Sequence, residues 1–275
     1  MTSPHATASR PASAEVVRQA AARLATAARD HRPCAPVRDL LGHSDVDLAY
    51  AVQLQLAAAR LAGGARVVGR KIGLTSPAVQ RQLGVDQPDF GFLFEDMDVS
   101  SCAQVPSERL LQPKAEAEIA FVLGDDLDQG PLDVGQVRAA VDHVVAAIEI
   151  VDSRVAGWDI TITDTVADNA SSGLFVLGSC KLRLADLEPK DVRMQLFVDD
   201  ELASEGDGAA CLGDPLNALA WLAQTARATG DPLRAGQVVL SGALGPMVPA
   251  RPGVTVRAEL TMLGAASATF SDGGS

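Results

Sequence analysis

Cysteine, histidine, basic residues and long apolar runs are all scarce in this 275-residue chain. Cys34, Cys102, Cys180 and Cys211 stand far apart with no C-x-x-C pair. That excludes a zinc knuckle and a small disulfide scaffold, and suits reduced, mostly buried thiols in a cytoplasm. Only four histidines occur, His5, His31 and His43 near the start and His143 inside what reads as an apolar helix, so histidine-based catalysis has little material. Lys and Arg number 23 against 35 Asp and Glu, a net charge of -12, which repels polyphosphates and argues against nucleic acid as a partner. Apolar stretches such as Val144 to Ile148 stop at Glu149, far short of the roughly 20 residues a bilayer crossing needs. The opening MTSPHATASRPAS has no apolar core of the signal-peptide kind and reads as a frayed tail. No G-x-x-x-x-G-K and no strand-linked G-x-G-x-x-G is present, so a phosphate-cradling loop is missing too. What remains, 47% hydrophobic and 21% charged, is enough to close a substantial core.

Periodicity divides the chain into a tail at 1–12, a helical N-terminal region at 13–110 and a β-rich core at 111–275. Ser13 is placed to cap a helix running to about residue 29, and Ser44-Asp45-Val46-Asp47 to open a second that ends at Gly63-Gly64. Arg66 to Leu74 reads as a strand, Ser76-Pro77 as the start of a short helix closed by Gly84, and Asp86 to Asp98 as a loop. Strands are expected at Lys114 to Leu123, Ala147 to Val151, Leu174 to Leu177, Arg193 to Val198, Val238 to Ser241, Val254 to Leu260 and Ser267 to Phe270. Helices are expected at 133–145 and after Asp214-Pro215. The order indicates an α+β chain.

Acidic residues supply the chemistry. On a strand over Lys114 to Leu123, Lys114, Glu116 and Glu118 share one face, which fits a solvated strand face as well as a metal site. Glu149 tips the balance. It lies in Val144-Val145-Ala146-Ala147-Ile148-Glu149-Ile150-Val151, apolar on both sides, where an unpaired carboxylate costs several kcal/mol. A buried Arg or Lys would answer it, but a divalent ion shared with Glu116 and Glu118 answers three anions at once. An all-carboxylate set suits a hard octahedral cation, Mg²⁺ or Mn²⁺.

Lys71 stands between Gly69 and Gly73 on one strand face, where missing side chains leave room for a ligand at the ammonium. Asp86 and Asp89, beside Pro88 and Gly91, read first as turn-forming acids. Asp164 to Gly173 packs short polar side chains ahead of a strand. Ser241-Gly242-Ala243-Leu244-Gly245-Pro246 follows another, and either segment suits an anion-holding loop or a structural turn. Trp158 and Trp221 read as core.

Taken together, Gly69 to Thr75, Val85 to Gly91, Pro113 to Leu123, Thr163 to Gly173 and Ser241 to Met247 resemble the 2-keto-4-pentenoate hydratase family of the fumarylacetoacetate hydrolase superfamily. The resemblance spans about residues 45 to 270. It implies a mixed β-roll, barrel-like core with flanking helices, a cytoplasmic homo-oligomer, and an Mg²⁺- or Mn²⁺-dependent lyase of aromatic meta-cleavage catabolism, associated with other enzymes of that route. By the same resemblance Glu116, Glu118 and Glu149 are metal ligands, Lys71 and Asp89 are catalytic, and Ser171 and, more weakly, Ser241 bind substrate. The implied reaction hydrates 2-hydroxypenta-2,4-dienoate to 4-hydroxy-2-oxopentanoate. One departure stands out. Val151-Asp152-Ser153-Arg154 carries an acid where hydratases commonly have Gly, which looks more like the sister 4-oxalocrotonate decarboxylases. The alternatives are therefore that decarboxylase, an acylpyruvate hydrolase, or a non-catalytic partner subunit that only binds oxo-acids.

Overall fold

The computed structural model describes residues 10–76, 80 and 87–273. Helix α1, Arg10–Arg29, buries Val17, Ala20, Ala21, Leu24 and Ala27, the spacing of one helix face. It begins ahead of the expected Ser13 cap because proline is tolerated in a first turn. The rest of the expected 1–12 tail lies outside the described residues. After the four-residue helix α2, Arg38–Leu41, comes α3, Val46–Ala62, where the Asp45 carboxylate accepts the Leu48 amide at 3.0 Å, the cap read from sequence. These helices close a small core of their own, with Leu24 and Val52 packed on Ile162 and Val166.

Strand β1, Val67–Gly73, pairs antiparallel with β2, Asp89–Phe94, and parallel with the short β8, Val238–Leu240. β3, Lys114–Leu123, pairs with β8, with β9 at Val248–Pro249, and along its whole length with β4, Val141–Val151. β5, Ser172–Leu177, follows β4, so the sheet order is β2-β1-β8-β3-β4-β5. Its two ends approach each other, because the chain leaving β2 bridges β5 at Asp98 and Phe175 and the Val99 amide donates to the Phe175 carbonyl at 3.0 Å. The sheet thus curls into a roll.

A second sheet is ordered β11-β10-β6-β7, made of Gly264–Thr269, Thr255–Leu260, Arg193–Val198 and Glu201–Asp207. One large apolar core runs between the two sheets, from Phe121 and Ile148 to Leu196 and Val256. This is the α+β, β-roll architecture expected from the sequence.

Three local expectations change. Within the expected Asp86 to Asp98 loop, Asp89–Phe94 is a strand: Phe90, Phe92 and Phe94 alternate along β2 and are buried, and that apolar alternation outweighs the Asp, Pro and Gly around it. The helix expected at 133–145 is confined to Val134–Ala140, and β4 begins at Val141 and runs through the β-branched residues to Val151. His143 is therefore a strand residue. The polar segment before β5 is a short helix, Ile162–Ala167, and a tight turn, Asn169–Ser171. The helix expected between Ser76 and Gly84 falls mainly outside the described residues.

Candidate metal centre and active site

Strand pleating brings the three glutamates together. Glu116 and Glu118 lie two residues apart on β3 and share a face, and Glu149 on β4 stands directly opposite Glu116 in the antiparallel register. Like charges opposite one another destabilise a sheet. Yet one carboxylate oxygen from each of Glu116, Glu118 and Glu149 lies within 4.8 Å of the others, with Glu118 fully buried and Glu149 nearly so.

Lys71 reaches the cluster across the narrow β8. Its Nζ approaches Glu149 Oε1 at 3.1 Å, an ion pair without hydrogen-bond alignment. Asp89, on β2 opposite Gly73, completes the group. The two glycines flanking Lys71 are filled by protein rather than left open for a ligand, which corrects the reading from sequence. A Cβ at Gly69 would fall 1.8 Å from the Val238 carbonyl oxygen of β8. At Gly73 it would fall 2.2 Å from Asp89 Oδ1 and 3.4 Å from Lys71 Nζ. Gly73 is what lets Asp89 and Lys71 lie side by side. A Gly73→Ala enzyme is expected to fold normally and lose about a hundredfold in kcat, since the methyl group must displace the Asp89 carboxylate. Wild-type kcat in that variant would contradict the assignment.

Four carboxylates thus face one ammonium. Burial works against the charged Lys71, but Glu149, Asp89, Glu116 and Glu118 outweigh it and hold its pKa above the ordinary value. The acids move the other way. Burial, offset in part by Lys71, pushes Asp89 up to about 6. Burial and the neighbouring Glu149 push Glu116 up to about 7 and raise Glu118 well above the usual range, and burial raises Glu149.

Asp89 Oδ1, Glu118 Oε1 and both Glu149 oxygens accept no hydrogen bond. Buried carboxylate oxygens left without partners, beside three glutamate oxygens within 4.8 Å of one another, are the donor set a hard divalent cation requires, so the residues fit the ion.

Stability should report the same surplus charge. These acids bind protons more tightly folded than unfolded, so their contribution is fully present below the ordinary values of 3.8 and 4.5 and is lost as pH rises through about 6 for Asp89 and about 7 for Glu116. The metal-free chain should therefore melt at lower temperature at pH 8 than at pH 5, and Mg²⁺ should narrow the gap. Thermal melts in chelator that improve from pH 5 to pH 8 would contradict this.

Ser241 is buried with its hydroxyl held by backbone, accepting the Ile119 amide at 3.2 Å and donating to the Gly242 carbonyl at 3.1 Å. The group from that loop that reaches the site is the Gly242 amide, which donates to Glu118 Oε2 at 2.8 Å. Sequence reading missed it because any residue supplies an amide. Ser171 is buried with its hydroxyl 3.2 Å from that of Thr165, in a turn that packs on β2. Asp152 is structural: it accepts the amides of Leu111 at 2.9 Å and Gln112 at 2.6 Å and so fixes the chain entering β3. Asp86 lies outside the described residues. Trp158 and Trp221 are half-buried, and Lys114 lies over the Trp158 ring at 4.3 Å.

The family description "Fumarylacetoacetate (FAA) hydrolase C-terminal" matches residues 76–271. The chain is 53% identical over 252 residues to the 2-keto-4-pentenoate hydratase of Burkholderia vietnamiensis, covering 92% of this chain and 96% of that protein. The chain belongs to the 2-keto-4-pentenoate hydratase family. Another relative, the 2-hydroxyhexa-2,4-dienoate hydratase of Comamonas testosteroni, is 44% identical, with 91% and 96% covered. Among solved structures, the 4-oxalocrotonate decarboxylase of Pseudomonas putida G7, complexed with magnesium and adipate, superposes with a TM-score of 0.88 at 32% identity, covering 94% of this chain and 97% of that one. No described helix is long and apolar enough to cross a membrane.

Proposed function

We propose that the chain is a divalent-metal-dependent hydro-lyase that adds water to 2-hydroxypenta-2,4-dienoate, giving 4-hydroxy-2-oxopentanoate in aromatic meta-cleavage catabolism. The observation that carries the reading is the buried meeting of Glu116, Glu118 and Glu149 with Lys71 and Asp89, in a chain more than half identical to a hydratase. Glu116, Glu118 and Glu149 would hold Mg²⁺ or Mn²⁺. The bound ion supplies Lewis acidity that favours negative charge on the substrate's 2-oxygen.

The chain's own residues do the rest. Lys71, kept cationic by its four acids, donates hydrogen bonds to the substrate carboxylate or to the 2-oxygen as it gains charge. Asp89, raised toward neutrality and beside Lys71, is placed to carry protons. The enol proton leaves the 2-oxygen, C5 accepts a proton, and the double bond moves to C3=C4. Water then adds its oxygen to C4 while C3 takes a proton, so the product differs from the substrate by one water. Ser171, in the turn against β2, would bind the substrate in this reading.

The same reading makes the enzyme a cytoplasmic homo-oligomer that associates with other enzymes of its route. Its cysteines are all free, which suits a reducing compartment, although only Cys211 is buried and Cys102 and Cys180 are exposed, unlike the mostly buried thiols expected from sequence; the exposed Leu54 and Leu61 of α3 offer apolar surface for protein contacts.

The test is the ultraviolet absorbance of the dienoate with and without Mg²⁺, alongside CO₂ release from 4-oxalocrotonate. Mg²⁺-dependent loss of dienoate absorbance with no CO₂ release is expected. Release of CO₂ would instead make it a decarboxylase, and no change in either would leave a binding subunit.

A further inference from the structure

Among the described residues β2 is the outermost strand of its sheet, so one row of its backbone groups faces away from β1 with no described strand to meet. Two carboxamides occupy that row. Gln53 Nε2 donates to the Phe90 carbonyl at 2.9 Å. Asn169 closes a two-bond ring on Phe92, its Oδ1 accepting the Phe92 amide at 2.8 Å and its Nδ2 donating to the Phe92 carbonyl at 3.0 Å. Asn169 imitates one residue of a neighbouring strand.

The turn that carries it adopts a backbone L-residues avoid. Asn169, Ala170 and Ser171 have φ of 54°, 51° and 54°, three left-handed residues in succession with no glycine. Arg154 brackets both ends, donating from Nε to Asp168 Oδ1 at 2.5 Å, from Nη2 to the Asp168 carbonyl at 2.6 Å and from Nη1 to the Ser172 carbonyl at 2.8 Å. The Asp152 amide holds the Ser171 carbonyl at 2.8 Å.

The turn presses on β2 at one defined point. A Cβ at Gly91 would lie 2.4 Å from the Asn169 carbonyl oxygen. Gly91 stands opposite Lys71 and is two residues from Asp89 on the same strand face. A backbone so strained and so heavily braced is being held for a purpose at that point.

We propose that Asn169 is a positioning residue for the hydration: its carboxamide fixes the outer edge of β2 so that the Asp89 carboxylate stays beside Lys71. The inference rests on the catalytic role proposed for Asp89. It is tested by a double-mutant cycle of Asn169→Gly and Asp89→Asn, measured as dienoate hydration at saturating Mg²⁺. Glycine keeps the left-handed turn without steric cost and removes only the carboxamide.

Asn169→Gly should lower kcat about tenfold or more, with KM within about twofold and Mg²⁺ affinity near that of the wild type, while the two Phe92 groups it leaves unpaired cost a few degrees of melting temperature. In the Asp89→Asn background the same substitution should change the residual kcat by less than about twofold, because the group it positions is gone. Gly91→Ala, which pushes the turn off β2 from the other side, should reproduce the kinetic pattern at a cost in melting temperature. Equal losses in both backgrounds, or wild-type kcat in Asn169→Gly or in Gly91→Ala, overturn the role of Asn169 while leaving hydratase activity standing. A wild-type chain that does not hydrate the dienoate overturns both.

Discussion

Glu118→Gln is expected to make the metal-free chain more stable while abolishing turnover, two effects of opposite sign from one side chain. Glu118 is fully buried, one of its oxygens takes the Gly242 amide, and the other has no partner among acids of the same charge. A glutamine keeps an acceptor for that amide and removes one anion from a cluster with four acids and one ammonium. Relief of a buried, unpaired charge is worth about 1–3 kcal/mol, a rise of a few degrees in the melting temperature of a chain this size.

In the proposed function Glu118 is the third ligand of the ion. Its loss should lower the rate by about a thousandfold or more, the equivalent of several kcal/mol of transition-state charge stabilisation. Mg²⁺ at about a hundred times its Kd should stabilise the wild type by about 2.7 kcal/mol and the variant hardly at all. Glu116→Gln and Glu149→Gln should share the loss of rate. A Glu118→Gln enzyme that recovers full activity when Mg²⁺ is returned after chelation would refute the assignment.

Lys71→Met should act on stability in the reverse direction. The ammonium is almost wholly buried and is the cation that stands 3.1 Å from Glu149, so its removal leaves the acids facing one another. In chelator the variant should be destabilised by about 3–5 kcal/mol, the usual cost of breaking a buried pair by deleting one partner. Mg²⁺ should restore most of that stability, because a divalent ion neutralises the same oxygens. It should not restore the rate. With metal saturating, kcat should remain about a hundredfold to ten-thousandfold low, since Lys71 is the side chain proposed to donate to the developing charge. Melts with and without Mg²⁺ beside steady-state rates separate the two effects, and wild-type kcat at saturating Mg²⁺ would remove Lys71 from the chemistry.

The charged centre was legible because strands make their faces readable. Alternation alone puts Glu116 and Glu118 on one side of β3, and an acid amid Ile148 and Ile150 declares its own need for a cation. The long helices were readable for similar reasons, with Asp45 and Asp214 capping α3 and the helix Pro215–Ala228.

What escaped depended on contacts between segments distant in sequence. β2 reads as a loop until the burial of Phe90, Phe92 and Phe94 is known. The use of Gly73 is visible only once Asp89 is seen opposite it. Asp152 looks like a marker of different chemistry until the amides of Leu111 and Gln112 are found on its carboxylate. Asn169 belongs to a polar run whose composition suits any turn, and only the free edge of β2 gives its carboxamide a task.

A crystal grown with Mn²⁺ and oxalate, with anomalous diffraction recorded at the manganese edge, shows whether the three glutamates meet on one ion. One strong peak per chain is expected, in direct contact with an oxygen from each of Glu116, Glu118 and Glu149. A peak elsewhere, or those three carboxylates turned apart around a centre that takes up no metal, would contradict the metal assignment.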